Sequence, residues 1–200
     1  SFPTRRASDL NTVTGTFRLN SSQQTDQFYL AREFNMKRIL SQDGHKLELG
    51  RACIKKEYQN SVVISLLWKG IFEYSAKTRS QILFGCASFH VRNTRQAALL
   101  HRYFFEKQKY TPDYFSTPTL ADKMLDFEAW EAHFKRGLRL DESVEAESLI
   151  PGLFKTYLTK GAFLGGEPAW NEEFLCLDFL TILQHENLSH SHWRCSKAGS

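Results

Sequence analysis

The chain has 200 residues, 42% hydrophobic and 24% charged, with a formal net charge of +4. That balance excludes a disordered or collagen-like polymer. No run reaches the roughly 18 apolar residues of a bilayer span, and the basic excess is too small to argue for nucleic acid. The length predicts one domain.

The chain opens on Ser1, and residues 1–10 show neither strand nor helix period, so they read as a non-native or disordered tail. Residues 13–19 are rich in β-branched and aromatic side chains and predict a strand. A polar loop covers 20–26, residues 28–40 suggest short helical turns, and Asp43-Gly44 marks a turn. Residues 46–54 predict a second strand. Residues 61–76 predict a helix with apolar positions Val62, Leu66, Ile71 and Tyr74, widened by Ile64, Leu67 and Trp68.

Residues 81–89 form a near-continuous apolar run, as in a strand buried on both faces. Helix is expected over 94–106, irregular chain with Pro112 and Pro118 over 110–122, and weak helix over 127–147. A helix over 149–160 has Pro151 near its start and Gly161 at its end. Strands at 162–166 and 175–183 follow, then a polar tail from 187. Strands alternating with helices predict a mixed α/β sheet flanked by helices.

Four cysteines at 53, 86, 176 and 195 include no Cys-x-x-Cys pair, so neither a zinc ribbon nor a redox motif is expected. Cys53 and Cys86 sit in apolar runs and are expected to be buried and reduced. With no secretory segment, they suggest the cytoplasm. The histidines show no ligand spacing, so no metal site is expected. The 16 phenylalanines are expected to be mostly core, with an acyl tunnel as the alternative.

The strand–loop–helix at 48–70 carries the chemistry. Alternation puts Leu47 and Leu49 on one face of the strand and Glu48 on the other. Glu48 could serve as a general base in a cleft, or it could pair with Arg18 or Arg51 and hold strands together. The helix start after Lys55 and Lys56 could receive an anionic group, although the loop lacks the glycines of a P-loop.

Several segments occur together in order: Gly15-Thr16-Phe17-Arg18-Leu19, Glu48-Leu49-Gly50-Arg51-Ala52-Cys53-Ile54, Leu67-Trp68-Lys69-Gly70 and Leu83-Phe84-Gly85-Cys86-Ala87-Ser88. Pro151-Gly152-Leu153, Tyr157-Leu158, Gly161-Ala162 and Gly165-Gly166-Glu167-Pro168-Ala169-Trp170 follow. In this order and spacing the chain resembles the ornithine N-acyltransferase family, sometimes labelled hemolysin-like, of the GNAT superfamily. The resemblance runs from about Val13 to Arg194. It implies one GNAT-like domain over 11–194, a disordered tail at 195–200, and a family N-terminal helix and strand that are missing before Val13.

The resemblance also implies an activity: transfer of a 3-hydroxyacyl chain from acyl carrier protein to the α-amine of ornithine. The donor is an acyl-phosphopantetheine and no separate cofactor is implied. The implied roles are Glu48 as base and Arg18, Arg51 and Ser88 at the substrate. Ile54, Lys55, Tyr58, Asn60, Ser61, Val62 and Val63 would hold the pantetheine arm. Where the family commonly has His-Pro-Asp-Tyr-Arg, this chain has Lys55-Lys56-Glu57-Tyr58-Gln59, so Lys55 or Lys56 would replace the final Arg. Similarity to autoinducer synthases leaves a homoserine-lactone product as an alternative, and a non-catalytic acyl-carrier or lipid-binding module as another. A lipid product implies a cytoplasmic enzyme with peripheral contact to the inner membrane, and the mild basicity suits an acidic carrier.

Overall fold

The structure, a computed structural model, describes residues 12–58, 61–110, 116 and 126–185. Its strands are β1 (Gly15–Ser21), β2 (His45–Ile54), β3 (Ser80–His90), β4 (Phe163–Leu164), β5 (Ala169–Asn171) and β6 (Cys176–Gln184). They form one mixed sheet in the order β1-β2-β3-β6-β4, with β5 also on β6. Among these described strands, β2 and β3 are the parallel pair. Antiparallel neighbours need only short turns, whereas a parallel pair needs a crossover. Here the crossover is helix α2 (Ser61–Lys77).

The alternation expected in β2 holds. Leu47 packs with Trp68 and Ile71 of α2 and with Leu83 of β3. The opposite sheet face is covered by residues 28–40, which contain a 3-10 turn at Tyr29–Arg32 and the short helix α1 (Lys37–Leu40). Phe28, Leu30, Phe34, Met36 and Ile39 of this segment bury against Ile82, Phe84, Leu180 and Ile182. At roughly 1.5–3 kcal/mol for each fully buried side chain, burial rather than regular hydrogen bonding fixes this irregular stretch.

Helix α3 (Thr94–Glu106) starts where expected, because the Asn93 side chain accepts a hydrogen bond from the Gln96 N–H at 3.0 Å. Its inner face joins Phe89, Phe104, Phe154 and Phe179 in one edge-to-face aromatic cluster. The core reading of phenylalanine therefore holds for these side chains, while Phe105 is exposed.

Several expectations need correction. The weak helix over 127–147 is two helices, α4 (Phe127–Phe134) and α5 (Leu140–Leu149). Gly137, at φ +92°, turns the chain between them. Helix α6 (Gly152–Thr159) begins after Pro151 and is shorter than expected, since Leu149 ends α5. The strand at 162–166 shrinks to Phe163–Leu164, and β5 was not anticipated. In the irregular stretch, Tyr110 bridges to Leu164 and Ser116 to Gly166. The segments 1–10, 187–194 and 195–200 lie outside the described residues, as does most of 110–122.

β3 is not buried on both faces along its length. Ile82, Leu83 and Phe84 are buried, but Cys86 and Ser88 are exposed. The reason is its neighbour. β2–β3 pairing stops at Leu49 and Gly85, although β2 continues to Ile54 and β3 to His90. Cys53 and Cys86 fall where β2 and β3 no longer pair with each other and are open, contrary to the expectation of core cysteines.

Candidate functional site

The point where β2 and β3 cease to pair organises the candidate site. A Cβ on Gly85 would lie 2.7 Å from the Leu49 carbonyl, so glycine permits this last close approach. On β2, the register with β1 shifts between Thr16 and Arg18, and Arg51 has φ +53°. Such a bulge re-aims a side chain. Beyond this point a pocket opens, lined by Leu49, Gly50, Arg51 and Ala52 on one strand and by Gly85 and Cys86 on the other.

The expected residues Glu48, Arg18 and Arg51 converge on the face covered by residues 28–40. Glu48 is buried, and its carboxylate accepts from the N–H groups of Leu30 (2.8 Å) and Tyr29 (3.2 Å). Oε2 also receives Arg18 at 3.4 Å and Asn20 at 3.5 Å. The Glu48–Arg18 ion pair therefore exists. Arg18, Arg32 and Arg51 lie 5.3, 5.6 and 5.9 Å from the centre of the Tyr29 ring. Three guanidinium groups around one aromatic ring form a positive rim suited to a carboxylate.

Sequence reasoning missed the negative half. Carboxylate oxygens of Glu33 and Asp178 and the Cys86 sulfur lie within 4.8 Å of one another. Ser88, expected at the substrate, pairs in register with Asp178. Asp178 is buried and accepts from the Asn171 amide at 3.0 Å. Burial, then the charges of Asp178 and Glu48, hold the Glu33 carboxyl above its usual range. Two neighbouring carboxylates suit a cationic group. No spacing signals it: Glu33 lies on the irregular segment and Asp178 on a distant strand.

The expected pantetheine segment follows the unpaired end of β2. The Lys55 N–H donates to the Thr14 carbonyl at 2.9 Å, and the Tyr58 N–H donates to the Lys55 carbonyl at 2.8 Å. Ile54 and Val63 are half-buried, while Lys55, Tyr58 and Val62 are exposed. Asn60 and the Ser61 side chain lie outside the described residues, so the expected anion contact at the start of α2 has no described geometry.

Another polar cluster joins His101 to Tyr110 (2.7 Å) and Glu131 (3.4 Å). Burial pulls the His101 pKa down, against Glu131 and Glu167. Among the described residues, no helix is long and apolar enough to cross a membrane.

Comparison with known proteins gives the chain's relatives. Residues 4–69 match the family model described as acetyltransferase (GNAT) domain. The chain is 31% identical to an L-ornithine N(alpha)-acyltransferase of Brucella abortus (strain 2308), over 88% of the chain and 62% of the relative. It is 25% identical to one of Rhodobacter capsulatus, over 94% and 71%, and 29% identical to one of Agrobacterium fabrum, over 86% and 58%. The chain thus spans 62% of the length of the first of these relatives. No solved structure matches it.

Proposed function

We propose that this chain belongs with the L-ornithine N(alpha)-acyltransferases it resembles and acylates the α-amine of ornithine or a similar amino acid. The donor is the acyl-phosphopantetheine of acyl carrier protein, and the product enters lipid synthesis. One observation carries this reading: the gap between β2 and β3 has an apolar-lined pocket at its tip, with opposite charges gathered on the face nearby.

An amino acid with two ammonium groups and a carboxylate has complementary partners here. The carboxylate meets the guanidinium rim of Arg18, Arg32 and Arg51. The side-chain ammonium meets Glu33 and Asp178, whose crowding favours a cation between them. The α-ammonium gives its proton to Glu48, through Oε2, whose partners at 3.2–3.5 Å are looser than the 2.8 Å bond on Oε1.

The free amine then attacks the thioester carbonyl. A C–N bond forms, the C–S bond breaks, and the pantetheine thiol leaves with a proton. The edge of β2 beyond Leu49 has no strand partner on the β3 side, so the developing oxyanion would lie along it. The arm itself runs along Ile54, Lys55, Tyr58 and residues 60–63, with Ser88 at the acceptor side. The thioester is already activated, so no separate cofactor enters this reading. A cytoplasmic enzyme with peripheral membrane contact fits the lipid product.

The test is incubation with 3-hydroxyacyl carrier protein and ornithine, read by mass spectrometry. An N-acylornithine supports the proposal. A homoserine-lactone product from S-adenosylmethionine, or carrier binding without turnover on any amino acid, overturns it.

A further inference from the structure

Arginines from three separate elements converge on the ring of Tyr29. Arg18 comes from β1, Arg32 from the 3-10 turn that Tyr29 begins, and Arg51 from β2. They stand 5.3, 5.6 and 5.9 Å from the centre of the ring. Tyr29 itself is exposed, and the segment that carries it is already held by the buried side chains of Phe28, Leu30, Phe34, Met36 and Ile39. Its backbone is fixed as well, because its N–H donates to Glu48 Oε2 at 3.2 Å. Packing therefore accounts for the position of the turn. It does not account for an aromatic ring at this place with three cations around it.

The arrangement is unfavourable as it stands. Arg51 reaches the ring from φ +53°, a left-handed backbone that a residue other than glycine adopts under strain. An exposed cation–π contact is weak, and three together offset about the strain of Arg51 alone. The mutual repulsion of the guanidinium groups is then left over, and an anion among them would remove it. Glu48 is buried and committed elsewhere: its carboxylate takes the Leu30 N–H at 2.8 Å and meets Arg18 at a looser 3.4 Å. Strain of this kind gathers at ligand clamps, where it presets the geometry that the ligand needs.

We propose that Tyr29 is the positioning residue of an anion site: its ring gathers Arg18, Arg32 and Arg51, so that the acceptor must bring a carboxylate beside the amine that is acylated. The inference rests on the acyl-transfer reading and names what that reading leaves open, the residue that separates an amino acid from a plain amine. Guanidinium groups bind carboxylates through paired N–H donors in a fixed plane. How the three are gathered, and not only their number, then decides the preference.

The test compares ornithine with putrescine, which is ornithine without its carboxylate. Calorimetry measures both on the parent chain, Tyr29→Phe, Tyr29→Leu and Arg51→Gly, and thermal denaturation confirms that each folds. The parent should bind ornithine about 10- to 100-fold more tightly, the range of one hydrogen bond between charged groups. Tyr29→Phe keeps the ring and should stay within about twofold of that ratio, whereas Tyr29→Leu keeps only the backbone N–H and should lower it about fivefold or more. Arg51→Gly should melt no lower than the parent, since glycine adopts φ +53° freely, and should still lose preference.

A parent that binds ornithine no better than putrescine overturns the inference. So does the parent's ratio in Tyr29→Leu or in Arg51→Gly. Loss of preference in Tyr29→Phe moves the role to the hydroxyl and overturns it too. If Tyr29→Leu weakens binding of phosphopantetheine and leaves the ornithine ratio unchanged, the arginines serve the donor's phosphate and the inference fails. A Tyr29-dependent preference for ornithine with no acyl transfer to any amino acid upholds the anion site and refutes the enzyme reading. Acyl transfer to ornithine with a ratio that ignores Tyr29 does the reverse.

Discussion

Replacing Glu48 by Gln separates the two roles its position allows. Gln is nearly isosteric, but one of its two oxygens becomes an NH2 group. If Oε1 changes, that group faces the Leu30 N–H, now 2.8 Å away. If Oε2 changes, it faces the Tyr29 N–H, Arg18 and Asn20. Either orientation loses at least one hydrogen bond to a charged group, about 1.5–3 kcal/mol. The Arg18 pair adds no more than about 1 kcal/mol, because that side chain is 38% exposed and screened. The sum is roughly 2–4 kcal/mol, which at this chain length lowers Tm by about 5–12 °C. Differential scanning calorimetry measures it, and hydrogen exchange at the Tyr29 and Leu30 amides should show faster local opening. As general base, the residue should also cost about 10²–10⁴ in the rate of acyl transfer to ornithine. Unchanged Tm and unchanged amide protection would refute the anchoring argument. A folded variant with full turnover would refute the catalytic one.

Glu33→Gln should alter pH dependence. The folded-state carboxyl lies above the ordinary 4.5, so folding retains its proton where the unfolded chain has lost it. Stability from this group is therefore present below about 4.5 and falls as pH rises through the raised value. The variant should match the parent near pH 3.5 and exceed it at pH 7 in thermal melts, and ornithine should stabilise it less than the parent. A variant less stable than the parent at pH 7 would contradict the crowding of Glu33, Asp178 and Glu48. Gly85→Ala should destabilise by about 1–3 kcal/mol, because its Cβ meets the Leu49 carbonyl at 2.7 Å. It should also weaken binding of the carrier-bound pantetheine arm, read by surface plasmon resonance, and unaltered stability would show that the strands can part further at no cost.

The elements with strong periodicity are legible in the sequence. The run at 46–54, the helix after it and the apolar strand at 81–89 form β2, α2 and β3 nearly as expected. The placement of Glu48 opposite Leu47 follows from a period of two, and its ion pair with Arg18 is one of the alternatives its spacing allows. Two kinds of feature are not legible. Glu33 and Asp178 meet because an irregular segment, held by five buried apolar side chains, folds onto the sheet beside β6. Neither residue has a neighbour in sequence that announces the other. Cys86 departs from expectation because an apolar run implies burial on both faces only while both neighbouring strands stay paired.

The exposure of Cys86 points to what controls the site. Hydrogen-bonded pairing leaves a pattern in the sequence, since each buried face repeats every second residue. The end of pairing leaves almost none. Here it is written in one glycine against one carbonyl and in one bulged arginine, Gly85 and Arg51. If β2 and β3 paired to their ends, the pocket beside Trp68 would close, Cys86 and Ser88 would lose their exposure, and Arg51 would no longer reach Tyr29. The site is therefore a consequence of where two parallel strands are prevented from continuing together, and the residues around it acquire their roles from that interruption.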